Sequence, residues 1–444
     1  MMSLIASSLP FLMFAMLLIV LLSGFPVAFV LSGTALMFAL IGHWLDIFYL
    51  SDLGFLPSRI WGIMTNFTLV AVPLFIFMGL TLERSGIAAN LLRTISALFR
   101  RQRGSLAIAA LFVGALLAAS TGIVGATVVT MGVITLPTML KEGYDQRLAC
   151  GTIAASGTLG QIIPPSIVLV ILGDMMNVDV GDLFVGALLP GTLLIFFYFL
   201  YIKWKVVKYP ESAPMSTTLS GQDISLVQVS QSLLPPLLLI LLVLGSILFG
   251  LASPTEAASC GAMGALMMTV GKKKLSLTEL LMISKETAKI TSMVFLILIG
   301  AQFFGVVFRG LGGDELLIEF IMSLSLDRSF ILFILMAITF ILGFYLDFLE
   351  ICFIIIPIIS PIFTAMGFNP LWVAILFALN LQTSFLTPPF GFALFYLKGI
   401  APDPVTTATI YRGIIPFVII QLVAMGAVAY FPALVTWLPS VVFR

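Results

Sequence analysis

Apolar runs long enough to cross a bilayer recur along the whole chain, and few folds can be built from such runs. A helix crossing the hydrocarbon core takes about 20 predominantly apolar residues. Residues 11–22 continue, past a Gly24-Phe25-Pro26 break, into 27–41, and residues 233–250 form another such run. Only 9% of the residues are charged and 61% are hydrophobic, whereas a soluble domain carries about 25% charged residues. A water-exposed surface of ordinary size cannot be made from this composition. The sequence predicts an all-α polytopic membrane protein in contact with the lipid bilayer on most of its faces.

The minor residue types exclude several function classes. A net charge of +1 gives no basic face, so no nucleic-acid partner is expected. Cys150, Cys260 and Cys352 stand singly in apolar stretches, which indicates neither disulfides nor a zinc site. The one histidine, His43, lies beside Trp44 and reads as an interfacial residue. The N-terminal segment lacks a basic stretch before its apolar run and reads as a first span rather than a cleaved signal. No polar segment is long enough for a soluble energy-coupling module, so any such module is expected on another chain. No cofactor is expected.

Lysine and arginine give the orientation. They cluster at Arg100/Arg101/Arg103, Lys141/Arg147, Lys203/Lys205/Lys208 and Lys272/Lys273/Lys274 with Lys285, while residues 173–182 and 251–256 carry no basic residue. The positive-inside rule puts the clusters on the cytoplasmic side. Residues 105–140 then have basic flanks at both ends, with a break at Ser120-Thr121-Gly122-Ile123-Val124-Gly125. That predicts a re-entrant hairpin or two short spans. Crossings at 148–172, 183–201, 233–250, 257–270 and 290–308 follow. A second broken stretch at 330–366 enters from the outer side, then 371–397 runs in and 411–431 runs out. Both termini are placed on the outer side. Residues 87–103 suit either an interfacial helix or a plain cytoplasmic loop.

A duplication underlies this order. Pro137 and Pro361, Gly143 and Gly367, Tyr144 and Phe368, Asp145 and Asn369, and Pro164-Pro165 and Pro388-Pro389 all stand at one constant offset (361 − 137 = 367 − 143 = 388 − 164). Five crossings separate the copies in addition to a hairpin, so the second copy is expected upside down, an inverted repeat with a site near the midplane. In each copy a hairpin precedes a span interrupted by two prolines, which lack the N–H and end a helix. The carbonyls freed there cannot face lipid and are suited to a cation, while half-helix N-termini favour an anion. The plain alternative is a pair of Pro-kinked spans.

Asp347 and Glu350 lie in the second hairpin with no basic partner in that span. An acid at mid-membrane costs about 2.5–3.5 kcal/mol. Asp347 therefore reads as a cation-site residue, as the N-cap of the following half-helix, or both. Glu256, after Ser253-Pro254-Thr255, reads as a cap, and Arg309 as a snorkelling side chain at a span end.

Taken together, the segments Val72-Pro73-Leu74-Phe75-Ile76-Phe77-Met78-Gly79, Gly143-Tyr144-Asp145, Ala155 to Gly160, Ile163-Pro164-Pro165-Ser166 and, most specifically, Asn380 to Leu394 carry a resemblance. Across essentially its full length the chain resembles the large membrane subunit of tripartite ATP-independent periplasmic (TRAP) transporters. The resemblance implies an elevator-type secondary transporter driven by sodium ions. A periplasmic substrate-binding protein would deliver a small organic acid, and a separate small four-helix membrane subunit would complete the assembly in the bacterial inner membrane. It also implies a first sodium site from Ser120, Thr121, Gly122 and Gly125 with Gly157, Gly160, Ile163 and Pro165. A second would come from Gly343 and Asp347 with Gln382, Ser384 and Thr387. Thr121, Ser166 and Thr383 are the expected substrate contacts. Many relatives carry Ser-Gly-Ser-Ser at the first tip where this chain has Ser120-Thr121-Gly122-Ile123, so carbonyls are expected to carry more of the coordination here.

The corresponding division is residues 1–104 as scaffold helices and interfacial arm, 105–182 as the first transport half, 183–308 as scaffold and linking helices, 309–400 as the second transport half, and 401–444 as a C-terminal helix. Competing readings are a sodium–carboxylate carrier needing no binding protein, an ion channel, and a membrane-embedded enzyme. The last lacks the His, Cys or paired-acid constellation that catalysis requires.

Overall fold

The structure is a computed structural model that describes residues 2–99, 102–215, 226–271, 276–324 and 326–443. Arg100, Arg101 and Lys272 to Lys274, members of two of the basic clusters, lie outside the described residues. Among those described, every regular element is helical, and eight helices are long and apolar enough to cross a membrane.

The chain opens with α1 (Met2–Leu21) and α2 (Val27–Trp44), and a 3-10 turn (Leu50–Phe55) leads into α3 (Leu56–Met64). Helix α4 (Phe67–Arg84) is capped by Asn66, whose side chain accepts from the Thr68 and Leu69 amides. Next comes α5 (Ile87–Leu98), which settles the arm segment as a helix rather than a loop. The first hairpin is α6 (Ser105–Thr121) and α7 (Val124–Lys141), broken only at Gly122 and Ile123. Gly122 has φ +63°, a conformation glycine adopts without strain, so the chain reverses within two residues. The first broken helix is α8 (Gln146–Thr158), a 3-10 turn (Leu159–Gln161), and α9 (Ile167–Met176).

Helices α10 (Val180–Lys208), α11 (Leu226–Leu248), α12 (Pro254–Gly271) and α13 (Leu277–Gly310) link the copies, and α14 (Gly313–Ser323) follows. The second hairpin is α15 (Arg328–Leu342) and α16 (Phe348–Ala365), the latter with a π turn over Ile351–Ile355. The second broken helix is α17 (Pro370–Leu386) and α18 (Phe392–Ile400); α19 (Thr407–Tyr430) and α20 (Ala433–Val442) end the chain.

The sequence repeat is a structural repeat. Both ends of α7 and α16 keep the same offset (348 − 124 = 365 − 141), as do the starts of α8 and α17 (370 − 146). Gly143 and Gly367 share a left-handed φ, at +82° and +72°. Asp145 and Asn369 each cap the next helix through the side chain, accepting from Arg147 N–H and Trp372 N–H respectively. Both Pro164–Pro165 and Pro388–Pro389 are cis.

The copies interlock. Helix α7 of the first hairpin packs on α18 of the second copy, and α16 of the second hairpin packs on α9 of the first. Helix α10 packs on α6, α9, α17 and α19. In packing it therefore sides with the broken helices, whereas the sequence grouped it with the linking helices. Helix α4 lies between two neighbourhoods: α12 and α13 on one side, α6 and α9 on the other. It is tied to the second at both ends. The Asn66 side-chain amide donates to Asp174 Oδ1 at 2.5 Å, and the Thr130 hydroxyl donates to Glu83 Oε1 at 2.5 Å. Arg84 meanwhile pairs with Glu286 of α13.

Candidate functional site

The first hairpin tip is built by backbone-to-backbone approach. A Cβ on Gly160 would collide with the Ala118 carbonyl, and one on Gly79 of α4 would lie 2.5 Å from Thr121 Cα. Glycine at both positions lets the tip, the break after α8 and α4 meet without side chains between them. Gly122 lies against Ile167 at the start of α9, Gly157 against Val128 of α7, and Gly125 against the Tyr396 ring of α18. The structure thus packs the two hairpin helices that flank Ser120, Thr121, Gly122 and Gly125 against the segment that carries Gly157 and Gly160.

The hydroxyls at the breaks follow one pattern. Each serine or threonine there donates its single proton to a nearby backbone carbonyl or another hydroxyl. Ser120 donates to Leu117 O (2.8 Å), Ser166 to Gln161 O (3.0 Å), Thr383 to Leu379 O (2.7 Å), Ser384 to Leu381 O (2.9 Å) and Thr387 to Thr383 O (2.7 Å). Thr121 shares a 2.7 Å bond with Thr127, which also bonds Ile123 O. A hydroxyl that has spent its proton offers only lone pairs to anything else. Together with carbonyls left over at the helix breaks, that is an oxygen-acceptor set suited to a hard cation such as sodium. Ile163 and Pro165 lie in the break between Gln161 and Ile167. Among the described residues no three His, Cys, Asp or Glu side chains cluster.

The second tip is longer, running from Gly343 to Asp347. Gly343 lies against the Ser384 hydroxyl, which joins the tip to the second broken helix. Asp347 is a cap: its carboxylate accepts from the Phe348 N–H at 2.7 Å, while Glu350 accepts from the Asp347 N–H at 3.0 Å. The Asp347 side chain also accepts from the Glu350 N–H, which closes a reciprocal capping box. Glu256 likewise accepts from the Ser253 N–H at 2.8 Å. The Arg309 guanidinium does more than snorkel outward. It folds back across Gly305 and lines a crevice with Asp314 and Phe353 of α16. Burial raises the Asp314 carboxyl above its ordinary value, with Arg309 opposing that shift.

Two residues escaped the sequence reading. Tyr396 of α18, in the second copy, places its ring against Gly125 of the first tip. Gln161 is fully buried at the first break, and its amide has no protein partner. Gln382, expected at the second site, is in the same state. An amide at a proline-ended turn was the signal for Gln161; Tyr396 carried none, being one aromatic in an apolar helix.

Comparison with known proteins decides the family. The model of the tripartite ATP-independent periplasmic transporter DctM component matches residues 14–434. The chain belongs to that family. As a TRAP large permease subunit it is a multi-pass membrane component of a tripartite transport system, a transporter rather than an enzyme. It is 31% identical to the C4-dicarboxylate large permease DctM of Pseudomonas aeruginosa, over 84% of this chain and 87% of that one. It is 28% identical to the sialic acid large permease SiaM of Vibrio cholerae, over 95% and 96% of the two chains. Against the ectoine large permease TeaC of Halomonas elongata the identity is 26%, over 96% and 97%. Among solved structures, the Alcanivorax borkumensis YdaH transporter superposes with a TM-score of 0.64 at 14% identity, covering 87% of this chain and 90% of that one. That likeness speaks to the fold.

Proposed function

We propose that this subunit carries a small organic acid across the bacterial inner membrane, coupled to sodium. A periplasmic binding protein delivers the acid, and a small four-helix membrane subunit holds the scaffold. The observation that carries the reading is the donor pattern at the two breaks. Hydroxyls with their protons committed inward stand beside carbonyls freed by proline, once in each copy. The first ion would be held by Ser120, Thr121 and the main chain of Gly122, Gly125, Gly157, Gly160, Ile163 and Pro165. The second would be held by Gly343, Asp347, Gln382, Ser384 and Thr387.

Cations at these sites raise the affinity for a carboxylate between the tips, and binding of the acid raises the affinity for the cations by the same factor. The N-termini of α9 and α18 add positive partial charge from two directions. Thr121, Ser166 and Thr383 line the approach to the acid, and each would turn its proton from its present acceptor to the carboxylate when the acid binds. The two copies stand inverted in the membrane, and the hairpins, broken helices, α10 and α19 move as one body past α4, α12 and α13. The family resemblance supports such an elevator motion, in which the bonds of Asn66 to Asp174 and of Thr130 to Glu83 must be released as the body leaves α4.

Uptake into proteoliposomes holding both membrane subunits tests the proposal, with binding protein supplied outside. Uptake of the organic acid is expected to stop when the sodium gradient is collapsed or the binding protein withheld. Uptake indifferent to sodium removes the coupling. Uptake without the binding protein favours the carrier that needs none.

A further inference from the structure

The duplication leaves one copy covered and the other open at the same place. In the first copy, Ala109 of α6, Leu148 of α8 and Ile202 of α10 are all buried, at 0%, 2% and 0% exposure. Their counterparts at the offset of the repeat are Phe333 of α15, Trp372 of α17 and Gly426 of α19 (333 − 109 = 372 − 148 = 426 − 202). These line an open groove of about 530 Å³ in which Phe333 is 66% exposed and Gly426 is exposed, while Trp372, at 6%, lies buried at its floor. The first copy's surface is covered because α19 packs closely on α8, Gly413 lying directly against Gly151. Among the described residues, nothing in this chain covers the second.

The groove has one polar end. The N-termini of α15 and α17 and the C-terminus of α19 gather there, with Ser329 and Tyr430 on the rim. Arg328 holds its guanidinium 5.7 Å from the centre of the Phe368 ring, which lines the same mouth. The neighbouring Asp327 carboxylate is spent on capping α15. The Trp372 indole N–H is also spent, on Val428 O at 2.8 Å, leaving the floor apolar. From Ser329 to Met336 the helix rises about 10 Å, against roughly 15 Å for the apolar half-thickness of a bilayer. An apolar trough of that depth, open sideways and ending at an interfacial cation, matches the shape and charge order of a phospholipid.

We propose that the groove between α15, α17 and α19 is a phospholipid site, with an acyl chain along Phe333, Leu376 and Leu422 and the phosphate on Arg328. A second membrane chain is the rival occupant, but it would need a carboxylate placed at the mouth to meet Arg328, whereas every phospholipid carries a phosphate there. Lipid held here would travel with the transporting body.

The test uses the full chain with its small subunit, purified in detergent and depleted of loose lipid, with phospholipid retention read by native mass spectrometry. A Cβ at Gly426 meets open space, so Gly426→Phe starts without a backbone clash and puts a ring into the trough. Wild type is expected to retain one phospholipid that Gly426→Phe loses. Arg328→Gln is expected to weaken retention about fivefold, the worth of one interfacial basic charge. Equal retention by wild type and Arg328→Gln overturns the site, and so does lipid held by the wild-type chain alone but absent from its complex with the small subunit. Should Gly426→Phe fail to assemble, Arg328→Gln decides alone.

Discussion

The two hairpin tips descend from one duplicated motif but are built by different means. The first closes in two residues and is walled by main chain, from Gly79 on one side and Gly160 against Ala118 on the other. The second takes the residues from Gly343 to Asp347, is walled by the Ser384 side chain, and carries the only acid at either tip. Tyr345 there packs against Phe390 with ring centres 5.1 Å apart and planes tilted by 45°. One tip is a fixed backbone cradle; the other is a side-chain site with a charge. A substitution that is intolerable at the first should be adjustable at the second.

The sharpest break of this comparison is Gly160→Ala. The added methyl meets a backbone carbonyl that cannot step aside, and overpacking of this kind costs about 1–3 kcal/mol or more. Uptake should vanish and membrane yield should fall, both measurable in whole cells. Gly343→Ala meets the hydroxyl and the Cβ of Ser384, a side chain rather than a backbone carbonyl. It should reduce uptake about tenfold and lower membrane yield, with Gly343→Ala/Ser384→Gly recovering the yield but not the uptake, because Ser384 is a proposed sodium ligand. No recovery of yield in the double variant would show the second tip to be as rigid as the first.

Asp347→Asn separates charge from capping, because asparagine caps as well as aspartate. Expression should be unchanged while sodium-dependent uptake falls about tenfold, the equivalent of about 1.4 kcal/mol in ion affinity. Unchanged sodium dependence would leave Asp347 as a cap alone. Ser120→Ala should be milder, within about threefold, since one neutral hydroxyl ligand is worth roughly 0.5–1.5 kcal/mol net and the first tip is rich in carbonyls. Complete loss would show that hydroxyls dominate both tips.

The smallest effect belongs to the hairpin entrances. Hairpin one begins at Gly104 with no side-chain cap, hairpin two at Asp327, whose carboxylate accepts from the Ser329 N–H at 2.9 Å. That bond, with lesser help from the Ser329 side chain and Arg328, holds Asp327 below its ordinary value. A depressed carboxylate stabilises the fold above its unfolded value of about 4. That contribution is lost as pH falls through the lower, folded value. Asp327→Ala should lower the melting temperature slightly at neutral pH and leave no difference from wild type in strong acid.

Breaks in this chain were readable because proline and glycine act locally. Gly122, Pro164-Pro165, Gly343 and Pro388-Pro389 interrupt their helices wherever the rest of the chain goes, so both hairpins and both broken helices fall where the residues put them. The duplication was readable for the same reason. What depends on partners distant in sequence was not. The allegiance of α10 rests on contacts with α17 and α19, and Tyr396 matters only because α18 crosses to the first hairpin. Asp347 as a cap was among the alternatives, but its reciprocal bond with Glu350 had no separate signal. Helices α3, α14 and α20 are short or border polar segments, and their apolar faces resemble loop composition until packed.

The interlocking of the copies has a consequence for synthesis. Helix α7 is complete at Lys141 but rests on α18, which begins only at Phe392. At a translation rate of about 5–20 residues per second, the chain between them takes roughly 13–50 seconds to make. For that interval the first hairpin stands in the bilayer with a face meant for its twin exposed to lipid or to whatever insertase attends it. A ribosome stalling before Phe392 would therefore release a product already half inserted and unable to close.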